Sequence, residues 1–243
     1  YTLWHTLSLH DALPISGINI LKLNVQGDPV YLQPGDSVTI DMDALNLAQH
    51  VFGCQAILNF SSTYFLAGTG EVDVQAGGGI WNELIYSQWT TSGDLDVAVG
   101  VELDSLVGTK ADGTVAKFTL TSTSTDGTTK MVFRADVDDI ESTLFSDTSG
   151  LAVYPGSKID SQDIVIDGTA PDAFTVTADP TCTATTTELT FAATDNLAGI
   201  DYYELFVDSV SQGVVSSPYT LDMSGYADGA YDVVVRAYDM AGN

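Results

Sequence analysis

Ile20-Leu21-Lys22-Leu23-Asn24-Val25 and, after a break, Ser37-Val38-Thr39-Ile40-Asp41-Met42 set the period of this chain. Apolar and polar residues alternate one for one. That turns every second side chain to the same side of an extended backbone, so each run reads as a strand with one buried and one solvated face. The same period returns in Ala56-Ile57-Leu58-Asn59-Phe60, Leu95 to Val101, Val115 to Leu120 and Lys130-Met131-Val132-Phe133. Turn chemistry separates the runs: Pro34-Gly35-Asp36, Gly77-Gly78-Gly79, Ala111-Asp112-Gly113-Thr114 and Asp126-Gly127. Such short intervals leave little room for crossover helices, and a sandwich of antiparallel sheets is expected rather than a parallel α/β sheet. Only Val137 to Phe145, with Asp138, Asp139 and Glu141 near its start, would suit a turn or two of helix, because acids favour the positive end of a helix dipole.

A second series begins after Ile164-Val165-Ile166-Asp167-Gly168-Thr169-Ala170-Pro171-Asp172, where a strand ends in an Asp-Gly turn and a stiff Pro without a donor. Its strands read as Phe174 to Ala178, Glu188 to Ala193, Tyr202 to Val207, Tyr219-Thr220-Leu221 and Tyr231 to Tyr238. The expected organisation is therefore all-β, two antiparallel β-sandwiches in tandem over 18–166 and 173–243, joined by a linker at 167–172. A chain of 243 residues is long enough for two such cores. Residues 1–17 lack the alternation and hold all but one of the histidines. The stretch Ser8-Leu9-His10-Asp11-Ala12-Leu13-Pro14-Ile15-Ser16 resembles translated sequencing-adapter read-through, so this segment is set aside from the fold.

Charge excludes several roles. The chain carries 33 Asp and Glu against 7 Lys and Arg, a formal net charge of −26. Clustered cations are what binding to phosphates requires, so neither nucleic acid nor an anionic membrane is an expected partner. No apolar run is long enough to span a bilayer as a helix. Cys54 and Cys182 fall in different expected domains, so no disulfide is expected between them, and Cys54, in an apolar run, reads as a buried free thiol. His50 is the only histidine outside the first seventeen residues. A catalytic dyad would have to rest on it and Cys54 alone, and the chain is read as non-catalytic.

Two kinds of binding residue stand out. Tyr64, Trp81, Tyr86 and Trp89, with Phe65, cluster in a loop-rich stretch, and flat rings exposed together would stack on a sugar or anchor a protein. Two acidic groups offer the hard oxygen ligands that calcium needs: Asp136, Asp138, Asp139 and Glu141, and separately Asp195, Asn196, Asp201 and Asp239. Neither matches the twelve-residue EF-hand loop.

Family resemblances follow from longer landmarks. Ala192-Ala193-Thr194-Asp195-Asn196, Ile200 to Asp208, Ser217-Pro218-Tyr219, Ala227-Asp228-Gly229 and Ala237-Tyr238-Asp239-Met240-Ala241-Gly242-Asn243 together resemble a bacterial Ig-like domain. That resemblance implies a spacer or adhesive module of a secreted or cell-surface protein. It also implies a further strand after the Ala-Gly-Asn turn, hence a truncation at Asn243 and an open sheet edge. Val30 to Ile40, with its Pro-Gly-Asp turn, and Asp112 to Leu120 resemble a cohesin-like, carbohydrate-binding-type sandwich over 18–166. This implies an extracellular adhesion or scaffolding module whose partner is a protein, such as a dockerin-like one, or a polysaccharide. A carbohydrate-binding accessory region of a secreted hydrolase and a unit of a surface layer or filament are the alternatives.

Overall fold

The computed structural model describes residues 18–27, 30–66, 72–90, 92–101, 108–134, 143–178 and 185–243. They hold twenty strands: β1 (Ile20–Val25), β2 (Val30–Leu32), β3 (Ser37–Leu45), β4 (Val51–Asn59), β5 (Val72–Ala76), β6 (Glu83–Trp89), β7 (Asp94–Gly100), β8 (Gly113–Thr121), β9 (Gly127–Thr129), β10 (Val132–Phe133), β11 (Leu144–Asp147), β12 (Ala152–Val153), β13 (Ser157–Ile159), β14 (Ile164–Ile166), β15 (Thr177–Ala178), β16 (Thr186–Thr190), β17 (Ile200–Val207), β18 (Val210–Val215), β19 (Tyr219–Asp222) and β20 (Val233–Asp239). No helix occurs among the described residues, and none is long and apolar enough to cross a membrane.

The chain divides into two compact units. One holds the described residues of Tyr1–Val30, Gly35–Thr123 and Thr129–Ile164, and the other Tyr31–Pro34, Ser124–Thr128 and Val165–Asn243. The first unit is a sandwich of two sheets, ordered β13-β1-β3-β8-β5 and β12-β11-β4-β7-β6, with β10 beside β4. Burial follows the sequence period: every second residue of β1, β3 and β7 is buried, which puts Leu21, Leu23, Ile40 and Met42 of one sheet and Leu95, Val97 and Val99 of the other into the core. Two features depart from expectation. β1 and β13 run parallel, Ile20 opposite Ser157, which their long separation in the chain permits because parallel neighbours need a crossover. Leu144 and Phe145, at the end of the segment compatible with a helix, lie in β11, with Phe145 buried opposite Cys54; Val137 to Ser142 lie outside the described residues.

The second unit contains two three-stranded sheets, β15-β16-β19 and β18-β17-β20. Its core gathers Leu189, Phe191, Leu205, Val207, Val215, Leu221 and Val235, with Phe174, Tyr203 and Tyr219 packed at the margin. Phe191 and Tyr203 meet edge to face at 4.9 Å, a preferred aromatic geometry. A third sheet, β2-β14-β9, has most of its residues in this unit.

Candidate functional site

On the outer face of the first unit's second sheet, the ladder registers set three small residues and a glutamate abreast. Ser146 of β11 lies opposite Gly53 of β4, Gly53 opposite Gly100 of β7, and Gly100 opposite Glu83 of β6. Glycine within a strand leaves a gap where a side chain would stand. Here two adjacent gaps make a hollow of ≈ 340 Å³ walled by Phe52, Leu84, Ile85 and Val101. Ile85 owes its position to a β-bulge: β6 pairs Leu84 with Val99 and Tyr86 with Ala98, and the extra residue between them is left unpaired. Its side chain is 69% exposed, among the most exposed large apolar groups described. A Cβ added to Gly100 would come within 3.1 Å of Ile85 Cδ1, so the isoleucine overhangs the glycine.

The aromatic residues do not form a common platform. Trp81 is 1% exposed and its ring lies 6.4 Å from that of Phe145, because this ring is used as core volume. Phe65 is buried against Phe60. Tyr64 is half-buried in the turn after β4. Tyr86 and Trp89 share β6, which is a strand and not the loop-rich stretch expected, but they are three residues apart and so project to opposite faces. Tyr86 is exposed beside the glycine hollow and donates its hydroxyl proton to Gln88 Oε1.

His50 and Cys54 do not meet as a dyad. His50 is exposed, its Nδ1 3.4 Å from Gly108 O, whereas Cys54 is buried in β4. Burial pushes the Cys54 thiol far above its ordinary range, which disfavours the nucleophilic thiolate.

In the second unit the acidic residues converge on a different set from that read in the sequence. One carboxylate oxygen each of Asp167, Asp195 and Asp239 lies within 4.8 Å of the others. Asp167 and Asp239 are each 1% exposed. Asp167 accepts the N–H groups of Thr169 and Ala198, Asp195 those of Leu197 and Gly199, and Asp239 the backbone and side-chain N–H groups of Asn243. Asn243 also donates to Asp167 O, which ties the β20 turn to the strand end after β14. A hollow of ≈ 190 Å³ opens beside the group, lined by Asp167, Thr169, Asp172, Asp195 and Asn196. Among the described residues no cationic side chain forms an ion pair with the three. Of the sequence's second set, Asp195 and Asp239 are brought together and Asn196 lines the hollow, while Asp201 stands exposed on β17 outside the group. Asp167 replaces it; in the sequence it reads only as the first residue of an Asp-Gly turn. Asp136, Asp138, Asp139 and Glu141 lie outside the described residues.

No protein-family model matches the chain, and no curated protein matches it. Among solved structures it is similar to cohesins. The second type II cohesin module of the ScaA scaffoldin of Acetivibrio cellulolyticus aligns at 14% identity and a TM-score of 0.48, over 63% of this chain and 98% of that one. A non-cellulosomal cohesin from the archaeon Archaeoglobus fulgidus aligns at 15% identity and 0.43, over 62% and 92%. A type I cohesin–dockerin complex from Clostridium thermocellum aligns at 15% and 0.45, over 61% and 100%. The sandwich described above rests on its own sheet order and burial.

Proposed function

We propose that this protein is a non-catalytic adhesion or scaffolding module of an extracellular or cell-surface protein, and that it grips a protein partner through the outer face of β11-β4-β7-β6. The observation that carries this reading is the glycine-floored hollow beneath an overhanging, solvent-exposed Ile85. An apolar side chain raised on a bulge beside an apolar recess has the form of an interface hot spot, where an anchor is desolvated on contact. Glycan stacking would call instead for exposed ring faces in one plane, and the buried Trp81 and opposed Tyr86 and Trp89 do not supply them. A dockerin-like protein is the partner that the sequence resemblance implies.

The test is a binding screen of the full chain against a panel of dockerin modules and a panel of polysaccharides, each repeated with Ile85→Asp. Protein binding that Ile85→Asp abolishes supports the reading. Polysaccharide binding that survives Ile85→Asp and is lost in Tyr86→Ala overturns it.

A second reading, calcium binding in the second unit, is favoured by Asp167, Asp195 and Asp239. Asp167 and Asp239 are buried and Asp195 half-buried, and convergent carboxylates with no cationic ion-pair partner among the described residues are a setting in which a hard cation is stabilising.

A further inference from the structure

Parity along β17 and β20 sorts the residues of the sheet β18-β17-β20 between two faces. Leu205, Val207 and Val235 point into the core, so Tyr202, Glu204 and Phe206 of β17 and Val234, Arg236 and Tyr238 of β20 point outward. The ladder sets them in three rows: Tyr202 opposite Tyr238, Glu204 opposite Arg236 with Val214 of β18 beyond, and Phe206 opposite Val234. The two tyrosine rings stack with centroids 4.7 Å apart. Val214 is 70% exposed, and Val234 and Arg236 are exposed as well. In a chain with 33 acidic residues, these rows carry one acid and one base among aromatic and aliphatic groups. Aromatic residues and arginine are enriched at the buried centre of protein interfaces. A further strand beside β20 would widen this face and not cover it.

The rows are complementary to themselves. Glu204 Oε1 accepts the Ser211 hydroxyl and the Arg236 guanidinium lies 4.8 Å over the Phe206 ring; among the described residues the two side chains do not close an ion pair with each other. Both keep hydrogen-bonding capacity toward a partner. A two-fold axis parallel to the strands, above the line between β17 and β20, lays each of these strands over the other in a facing copy. Tyr202 then meets Tyr238, Phe206 meets Val234, and Glu204 of each copy meets Arg236 of the other. An axis across the strands at that row would set acid on acid and base on base, which is repulsive. A foreign partner has to supply both charges in the right order, whereas a second copy supplies them by symmetry. We infer that the outer face of β18-β17-β20 docks on the same face of a second copy of this chain, about a two-fold axis parallel to the strands. Three short strands make a smaller contact than the roughly 800 Å² per partner of stable complexes, so the dimer is weak. At ~0.15 M salt the screening length is about 8 Å, which damps repulsion between the remaining charges of the two copies more than it weakens pairs at the contact.

The experiment is sedimentation equilibrium of the full chain at ~0.15 M salt, from about 10 μM to about 1 mM protein. The wild type is expected to dimerise with a dissociation constant on the order of 0.1 mM. Glu204→Arg and Arg236→Glu each set like charges at both crossings, and each alone is expected to weaken the dimer by about tenfold or more. Mixed in equal amounts, the two variants are expected to form a heterodimer, because the introduced arginine then meets the introduced glutamate and the native pair meets at the other crossing. Mixing cannot rescue a folding defect. Because Ile85 lies on the first unit's sheet, Ile85→Asp is expected to leave dimerisation unchanged, which separates this result from the fate of the proposed function. Four results would each overturn the inference: a chain monomeric at about 1 mM, which leaves the face to a foreign partner; a dimer unaltered by either charge reversal; no heterodimer on mixing; or a dimer abolished by Ile85→Asp.

Discussion

Gly53 and Gly100 face each other across the β4–β7 ladder, and the space their missing side chains leave is overhung by Ile85. Exposure and energetics are thereby separable at one residue. Since Ile85 is 69% exposed, Ile85→Asp is expected to change folding stability by no more than about 0.5 kcal/mol, as surface substitutions usually do. The same change is expected to weaken a protein partner by about 2 kcal/mol or more, roughly thirtyfold, if Ile85 is the anchor. Paired thermal melts and binding titrations measure the two effects side by side.

Gly100→Val tests the recess rather than the anchor. The added side chain meets the end of a flexible isoleucine, 3.1 Å from the new Cβ, so Ile85 can turn aside. The variant is expected to fold and to lose partner binding by filling the hollow. A melt within a few degrees of the wild type, with lost binding, is the expected outcome.

Asp126 clasps the start of the linker-like segment: Oδ1 accepts the Gly168 N–H at 2.9 Å and Oδ2 the Thr169 hydroxyl at 2.6 Å. The Thr169 hydroxyl and then the Gly168 N–H hold this carboxyl below the usual carboxylate range. A depressed folded-state value means that the stabilisation is present above the unfolded value, about 3.9, and is lost as pH falls through the folded one. Asp126→Asn is therefore expected to lower the melting temperature by a constant amount between neutral and mildly acidic pH. The gap should begin to narrow only below about pH 4 and close as pH falls through the lowered folded-state value, where the wild type loses its charge as well. Melting curves of both proteins across that range give the comparison.

Alternation made most of the fold legible in advance. β1, β3, β7 and β8 need no more than a period of two to be recognised, since each has one face in the core. The same rule failed for β6, whose residues are exposed along nearly its whole length because it is an edge strand with a bulge. It failed again for β18, whose exposed Val210 and Val214 sit on a free edge. Pairing register cannot be read from one strand alone, so the row Ser146, Gly53, Gly100 and Glu83 was invisible, although a glycine inside each of two strand-like runs was the available signal. Asp195 and Asp239 were legible as acids near turns. Asp167 was not, because its partners are 28 and 72 residues away and only the closed fold brings their carboxylates together.

Trp81 reports on the core of the first unit. Its indole is fully buried beside Phe145, and Nε1 has no hydrogen-bond partner among the described residues. Trp81→Ala removes the ring and is expected to cost about 3–5 kcal/mol, whereas Trp81→Phe retains most of the volume and discards a buried donor. The phenylalanine variant is expected to melt much closer to the wild type than the alanine variant. Equal losses in the two would mean that the indole N–H is bonded after all and that its removal dominates.

Asp167→Asn separates the two roles of the acidic group. Asp167 accepts N–H groups from both Thr169 and Ala198, and an amide offers only one oxygen, so either the buried Ala198 donor or the part-buried Thr169 donor would face an NH₂ group. That mismatch alone is expected to cost about 1–3 kcal/mol with or without metal. Calcium linkage adds a distinguishable term: at ten times its dissociation constant, a ligand that binds only the folded state stabilises by ~1.4 kcal/mol, roughly 6–11 °C for a domain of this size. Wild-type melting is therefore expected to rise with millimolar calcium and the Asp167→Asn value to stay put, with magnesium as the control ion. A wild-type melt indifferent to calcium, together with no heat in a calorimetric titration, would leave the three carboxylates as turn-closing acceptors for Thr169, Ala198, Leu197, Gly199 and Asn243 and nothing more.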